Sequence, residues 1–280
     1  MIAARKEGTM RHSMAHRTAG TDAVGADARF TDPLLSGPAR LARSVVGVLG
    51  GRFSAELGID VDAGDAEVER WFLAAALFGT RISAAVAERT FAVLNEAGLT
   101  RIGQARHVPS EDLIELLDAG GYARYDFRTT SRLQALSELV DERYDGRVAE
   151  IGRRHQAYPA LRTALTVLPG WGPVTVQLFL RELRGVWPGA QPPADPRAAF
   201  GARHLGLLST ELAPDALPQI ARLAAAAGLD LRDLESGLVR LALAHRRTRS
   251  ACPGGDQCAV LGARATAPRS AAAAPPVPAG

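Results

Sequence analysis

Between residues 29 and 262 the chain is a succession of apolar stripes with helical period, separated by Gly, Pro and capping residues. Leu113, Leu116 and Leu117, for example, form an i, i+3, i+4 stripe behind Ser110 and two acids. The pattern predicts helices over 38–49, 66–78, 83–97, 111–118, 128–143, 147–155, 159–167, 173–184, 196–205, 215–227 and 231–246. Asp65 and Ser110 are expected to cap the helices that follow them, because each offers a side-chain oxygen to free N–H groups ahead of an acidic first turn. No stretch alternates with the period of a strand, and runs such as residues 223–227 (Leu-Ala-Ala-Ala-Ala) favour helix, so the expected fold class is all-α. Residues 1–28 have no apolar period and 263–280 are Ala/Pro/Arg/Ser low complexity, so both are expected to be disordered.

Composition narrows the picture. With 280 residues and 47% hydrophobic content the chain can bury a substantial core. Lys6 is the only lysine among 33 basic residues, a bias that later decides a point of chemistry. The net charge of +3 does not by itself indicate nucleic acid, but a pI near 9.2 is compatible with a basic cleft offset by acidic surface elsewhere. No apolar run reaches the roughly 20 residues needed to span a bilayer, and the first 29 residues lack the apolar middle of a secretory signal. A cytoplasmic location, a monomer and no membrane partner are expected. Met10 and Met14 offer alternative starts. Cys252 and Cys258 alone imply no disulfide framework.

Residues 168–175 read Leu-Pro-Gly-Trp-Gly-Pro-Val-Thr, a two-glycine hairpin between two apolar helices. Gly170 and Gly172 permit a tight backbone path, and Pro173 suits the first position of the next helix. Such a turn can aim bare N–H groups at a phosphate oxygen, helped by the helix dipole. Farther on comes Ala194-Asp-Pro-Arg, which sets Asp195 before a helix. Asp followed by Pro also reads simply as an N-cap with proline at N1, and the two roles are compatible.

The Leu-Pro-Gly-X-Gly hairpin with its downstream Asp resembles the helix-hairpin-helix DNA glycosylase superfamily, of the endonuclease III-like kind. The resemblance implies a bilobal fold, with a six-helix barrel lobe at 67–184 and a second helical lobe from 29–66 plus 185–262. It implies base-excision repair of double-stranded DNA containing a damaged base, with Asp195 as the catalytic carboxylate. Pro169, Gly170, Trp171, Gly172, Val174 and Thr175 would contact DNA, and Arg81 would fill the gap left by the flipped base. The lysine that makes relatives strand-cleaving lyases would stand at Val174; with Lys6 in the tail, no Schiff base is expected and the enzyme should be monofunctional. The adenine-specific branch's second carboxylate is missing from 71–80. Two cysteines cannot hold the family's iron–sulfur cluster, and no cofactor is expected. His245, Cys252 and Cys258 could offer three zinc ligands, but spacing reveals no fourth, so no metal is expected.

Other residues have two readings each. Tyr122 and Tyr125 could stack on an everted base or pack in the core. Trp171 could touch sugar or anchor its turn, and Trp187 is expected at a lobe boundary. Arg153-Arg154 and the arginines at 246, 247 and 249 could meet phosphates or form a solvated face. Two other function classes stay open: a non-catalytic helix-hairpin-helix DNA-binding protein, and a hairpin serving protein interaction or structure alone.

Overall fold

In the computed structural model, residues 37–79, 82–122, 126–208, 216–245 and 252–265 are described. Among them the fold is all-helical, and no helix is long and apolar enough to cross a membrane. The chain order is α1 (Gly37–Leu49), α2 (Phe53–Glu56), α3 (Asp65–Phe78), α4 (Ala84–Glu96), α5 (Ser110–Gly120), α6 (Asp126–Tyr144) and α7 (Ala149–Arg154). There follow α8 (Tyr158–Thr166), α9 (Pro173–Glu182), α10 (Pro196–His204), α11 (Ala216–Ala227), α12 (Leu231–Ala244) and α13 (Ala259–Ala265). The eleven expected helices are present to within a few residues; α2, α13 and a 3-10 turn at Ile102–His107 were not expected.

Two apolar cores organise these helices. The first is built from α3 through α9 and is centred on α3, whose residues 71–77 are all buried. A helix apolar on every side must be wrapped on every side, and α3 accordingly touches α4, α7, α9 and the Ile102–His107 turn. The second core joins α1 to α10, α11, α12 and α13 through Val45, Ala198, Ala202, Ile220, Leu234, Leu238 and Leu261. Phe53, Ile59 and Val61, which the sequence grouped with α1, pack in the first core instead.

Two expected caps are corrected. Asp65 and Ser110 are the first helical residues rather than the caps; Gly64 and Pro109 precede them and give no side-chain hydrogen bond. Asp65 pairs instead with Arg153, and the Ser110 hydroxyl donates to Gln134 Oε1 at 3.2 Å. Side-chain caps do form at Ser83, Asp195 and Asp230, which accept from the N–H groups of Val86, Arg197 and Arg232.

Where the two cores meet, charged side chains are buried. Glu182, at the end of α9, accepts from the N–H groups of Phe53 and Ser54 at 2.8 Å each and so caps α2 from across the molecule. Arg232 reaches back to the Glu182 carbonyl at 3.3 Å and pairs with Asp62 and Asp230. Arg184 and Glu235 make a buried pair at 2.8 Å. This polar seam carries Asp195.

Candidate functional site

The hairpin between α8 and α9 closes with the Trp171 N–H donating to the Leu168 carbonyl at 3.0 Å. Gly170 has φ +79°, and a Cβ there would overlap the Arg132 side chain, so the fold demands glycine. Gly170→Ala is expected to cost about 1–3 kcal/mol in urea unfolding, since both strain and overlap must be relieved. Gly172 is different. Its φ of −80° suits any residue, and among the described residues nothing lies within 4 Å of where its Cβ would be. The chain itself gives no reason for glycine at 172, whereas a partner approaching the backbone closely would.

Among the described residues, the amides of Gly170, Gly172 and Val174 have no backbone acceptor. Gly170, Gly172 and Val174 are exposed and Pro169 is half-buried. Two of the residues expected to contact DNA are buried. The Trp171 ring is buried, stacked on Phe72 at 4.3 Å and edge-on to Phe179 at 5.1 Å, and its amide is already used, so it anchors the turn. Thr175 is buried on the inner face of α9, where it packs against Gly79.

Asp195 is the N-cap of α10, and its side chain is buried. Oδ1 accepts from the Arg197 N–H at 2.8 Å and from Arg197 Nε at 3.0 Å. Oδ2 lies 2.9 Å from Arg197 Nη2 and 3.4 Å from Nη1 of the buried Arg181. Burial pushes the carboxyl pKa upward, but the Arg197 hydrogen bonds and the two guanidinium charges outweigh it and hold it below the usual carboxylate range. The Asp195 N–H donates to Glu235 Oε1 at 2.9 Å, which fixes the backbone.

Asp195 and the start of α9 face one cleft of about 710 Å³, lined also by Tyr158, Arg162, Pro173, Val174, Gln177 and Arg197. Its walls combine a buried carboxylate, exposed apolar surface at Val174 and two guanidinium groups. Sequence reasoning missed Arg181, Glu182, Arg184 and Glu235. The available signal was Arg181-Glu182 inside the run Leu-Phe-Leu-Arg-Glu-Leu, where a charged pair interrupts an otherwise apolar helix.

Other expected contacts move away from the cleft. Tyr122 is buried and donates its hydroxyl to the Leu77 carbonyl at 2.6 Å, so it is not a base-stacking platform. Trp187 packs on Phe179 at 5.5 Å within the first core. Arg153 pairs with Glu150 and Asp65, and Arg154 with Asp145, so neither presents a free charge. Arg81, Tyr125 and the arginines at 246, 247 and 249 lie outside the described residues. At the far end of α10, His204, His245, Cys252 and Cys258 converge, with one ligand atom from each lying within 4.8 Å of the others.

No family model matches the chain, and no curated protein or solved structure matches it.

Proposed function

We propose that the protein is a monofunctional DNA glycosylase of helix-hairpin-helix type, in which the two cores are the two lobes of that fold. The observation that carries this reading is the shared cleft: the first turn of α9, which directly follows the exposed hairpin, opens onto the same space as the ionised, buried Asp195. Hydrolysis of an N-glycosidic bond builds positive charge on the deoxyribose, and a carboxylate fixed beside it stabilises that charge and orients water. Val174, 59% exposed at the cleft wall, offers no amine, so the reaction stops at an abasic site. The amides of Gly170, Gly172 and Val174 hold a phosphate of the lesion strand, and Arg162 adds charge at the rim.

The test is release of free base from a lesion-containing duplex, with no adduct trapped by borohydride. Alongside it, Gly172→Arg is expected to leave the unfolding midpoint unchanged, because the position is open, while weakening duplex binding by blocking backbone approach. Unchanged DNA affinity in that variant would refute the hairpin's role.

One observation favours a second reading, a non-catalytic DNA-binding protein. Both oxygens of Asp195 are occupied by guanidinium groups, as a purely structural cap would be. That reading predicts salt-sensitive duplex binding without base release.

A further inference from the structure

The cluster at the C-terminal end of α10 belongs to no part of the cleft. Asp195 caps one end of this helix and His204 ends it, about 13 Å away by the rise of nine residues. His204 comes from the last turn of α10 and His245 from the C-cap of α12. Cys252 and Cys258 bracket the 3-10 turn Gly255–Gln257 that leads into α13. Three separate pieces of chain thus bring two imidazoles and two thiols to one point.

We infer that His204, His245, Cys252 and Cys258 form a four-ligand Zn²⁺ site that pins the C-terminal segment onto the second core. Two thiolates and two imidazoles are a complete donor set for tetrahedral zinc, with Zn–S of about 2.3 Å and Zn–N of about 2.0 Å placing ligand atoms roughly 3.3–3.8 Å apart. Here His245 Nε2 lies 3.1 Å from Cys258 Sγ, and Cys252 Sγ lies 3.9 Å from Cys258 Sγ. The sulfurs are far from the roughly 2.05 Å of a disulfide.

A second observation points the same way. Among the described residues, buried His204 Nε2 has no hydrogen-bond partner, an arrangement that costs free energy unless something occupies it. The loop is also shaped for the approach: Gly254, at φ +77°, rests so closely on the His204 backbone that a Cβ would overlap its carbonyl oxygen. His245 and Cys258 are buried, while His204 and Cys252 are partly open, so the site has an inner pair and an outer pair through which an ion enters. Softness and geometry select zinc over magnesium or calcium, which take oxygen ligands. Binding releases the two thiol protons to solvent.

The site tethers α10, α12 and α13, and α13 also touches α1, so an ion there closes the second core at its C-terminal edge. The proposal does not depend on the DNA reading.

The experiment uses the full chain, purified with a reductant, measured for metal content, stripped with chelator and titrated with Zn²⁺ or Co²⁺ alone. Expected are one zinc per chain, the intense visible bands of tetrahedral cobalt with thiolate charge transfer, and a gain of about 10 °C in unfolding midpoint at zinc a thousandfold above Kd. His204→Ala should weaken zinc by more than the roughly 10- to 100-fold typical of an outer-shell loss. Cys252→Ser, in a partly open loop, tests the same point without disturbing a helix. Metal-free protein that gives no cobalt bands and no midpoint shift would overturn the proposal. So would a Cys252–Cys258 disulfide in the reductant-treated protein, or unchanged zinc affinity in both variants.

Discussion

Asp195→Asn is expected to lower base release roughly 100- to 1000-fold, the scale of removing one fixed charge-stabilising group, while leaving duplex affinity unchanged. The asparagine keeps an oxygen for the Arg197 N–H, so the α10 cap survives. It removes the negative charge that faces Arg181, a guanidinium 1% exposed whose Nε and Nη2 make no hydrogen bond among the described residues. A stability loss of about 3 kcal/mol should accompany the loss of turnover, since a buried charge loses its partner. Assays must therefore be run well below the variant's unfolding midpoint, with duplex binding as the control for folded protein. Equal rates in wild type and variant would remove Asp195 from the mechanism.

The pH profile separates catalysis from capping. Because Asp195 is held below the usual carboxylate range, its titration should put no acid limb into base release between about pH 5 and 8. Arg197→Gln removes the strongest opposition to burial, so the carboxyl pKa should rise and the acid side of the profile should shift to higher pH. For stability the sign is equally definite. A folded-state pKa below the unfolded one contributes stability above the ordinary carboxylate range, and this is lost as pH falls through the folded value. A pH profile unmoved by Arg197→Gln would show that Asp195 serves α10 alone.

Glu182→Gln should have the largest effect on the fold itself, a loss of about 3–5 kcal/mol and a fall of roughly 10 °C in unfolding midpoint. Both carboxylate oxygens of Glu182 accept buried N–H groups of α2, and its charge lies 4.0 Å from Arg181. Glutamine turns one acceptor into a donor facing a donor and leaves Arg181 poorer in negative charge. Glu67→Gln is the matched control, an i,i+3 pair with Arg70 nearer the surface, and should change stability by under about 1 kcal/mol. A loss at Glu182 no larger than at Glu67 would mean that the seam does not hold the two cores together.

Most helices were legible because each buries one stripe, and the stripe repeats in the sequence whatever the partner; α3, buried all round at 71–77, was legible as an unbroken apolar run. The Asp195 cap was legible for a similar local reason. Asp65 and Ser110 were misread as caps because a single-residue shift in helix start turns a capping side chain into a first-turn side chain, free for Arg153 or Gln134. The four-residue α2 left no periodic trace; it exists because Glu182, distant in sequence, satisfies its first amides. Trp171 and Tyr122 stood beside glycines and looked available, yet Phe72, Phe179 and the Leu77 carbonyl claim them. The cleft lies between the start of α9 and Asp195, both visible in the sequence. The seam behind it was only half legible: Arg181-Glu182 interrupts an apolar run, but nothing local shows that the α2 amides and Asp195 are its partners. His204 escaped because its partners are likewise distant: only folding brings the end of α10 to the cysteine loop.

The central claim is hydrolysis of a damaged nucleotide's glycosidic bond. Its most direct measurement is strand scission of end-labelled duplexes carrying uracil, alkylated or oxidised bases, incubated with the full chain and then treated with or without alkali. The account predicts breaks at one lesion class only after alkali, the signature of an abasic site left by an enzyme without a Schiff-base lysine. Tight, salt-sensitive duplex binding with no break at any lesion would contradict it and leave a protein that binds DNA without acting on it.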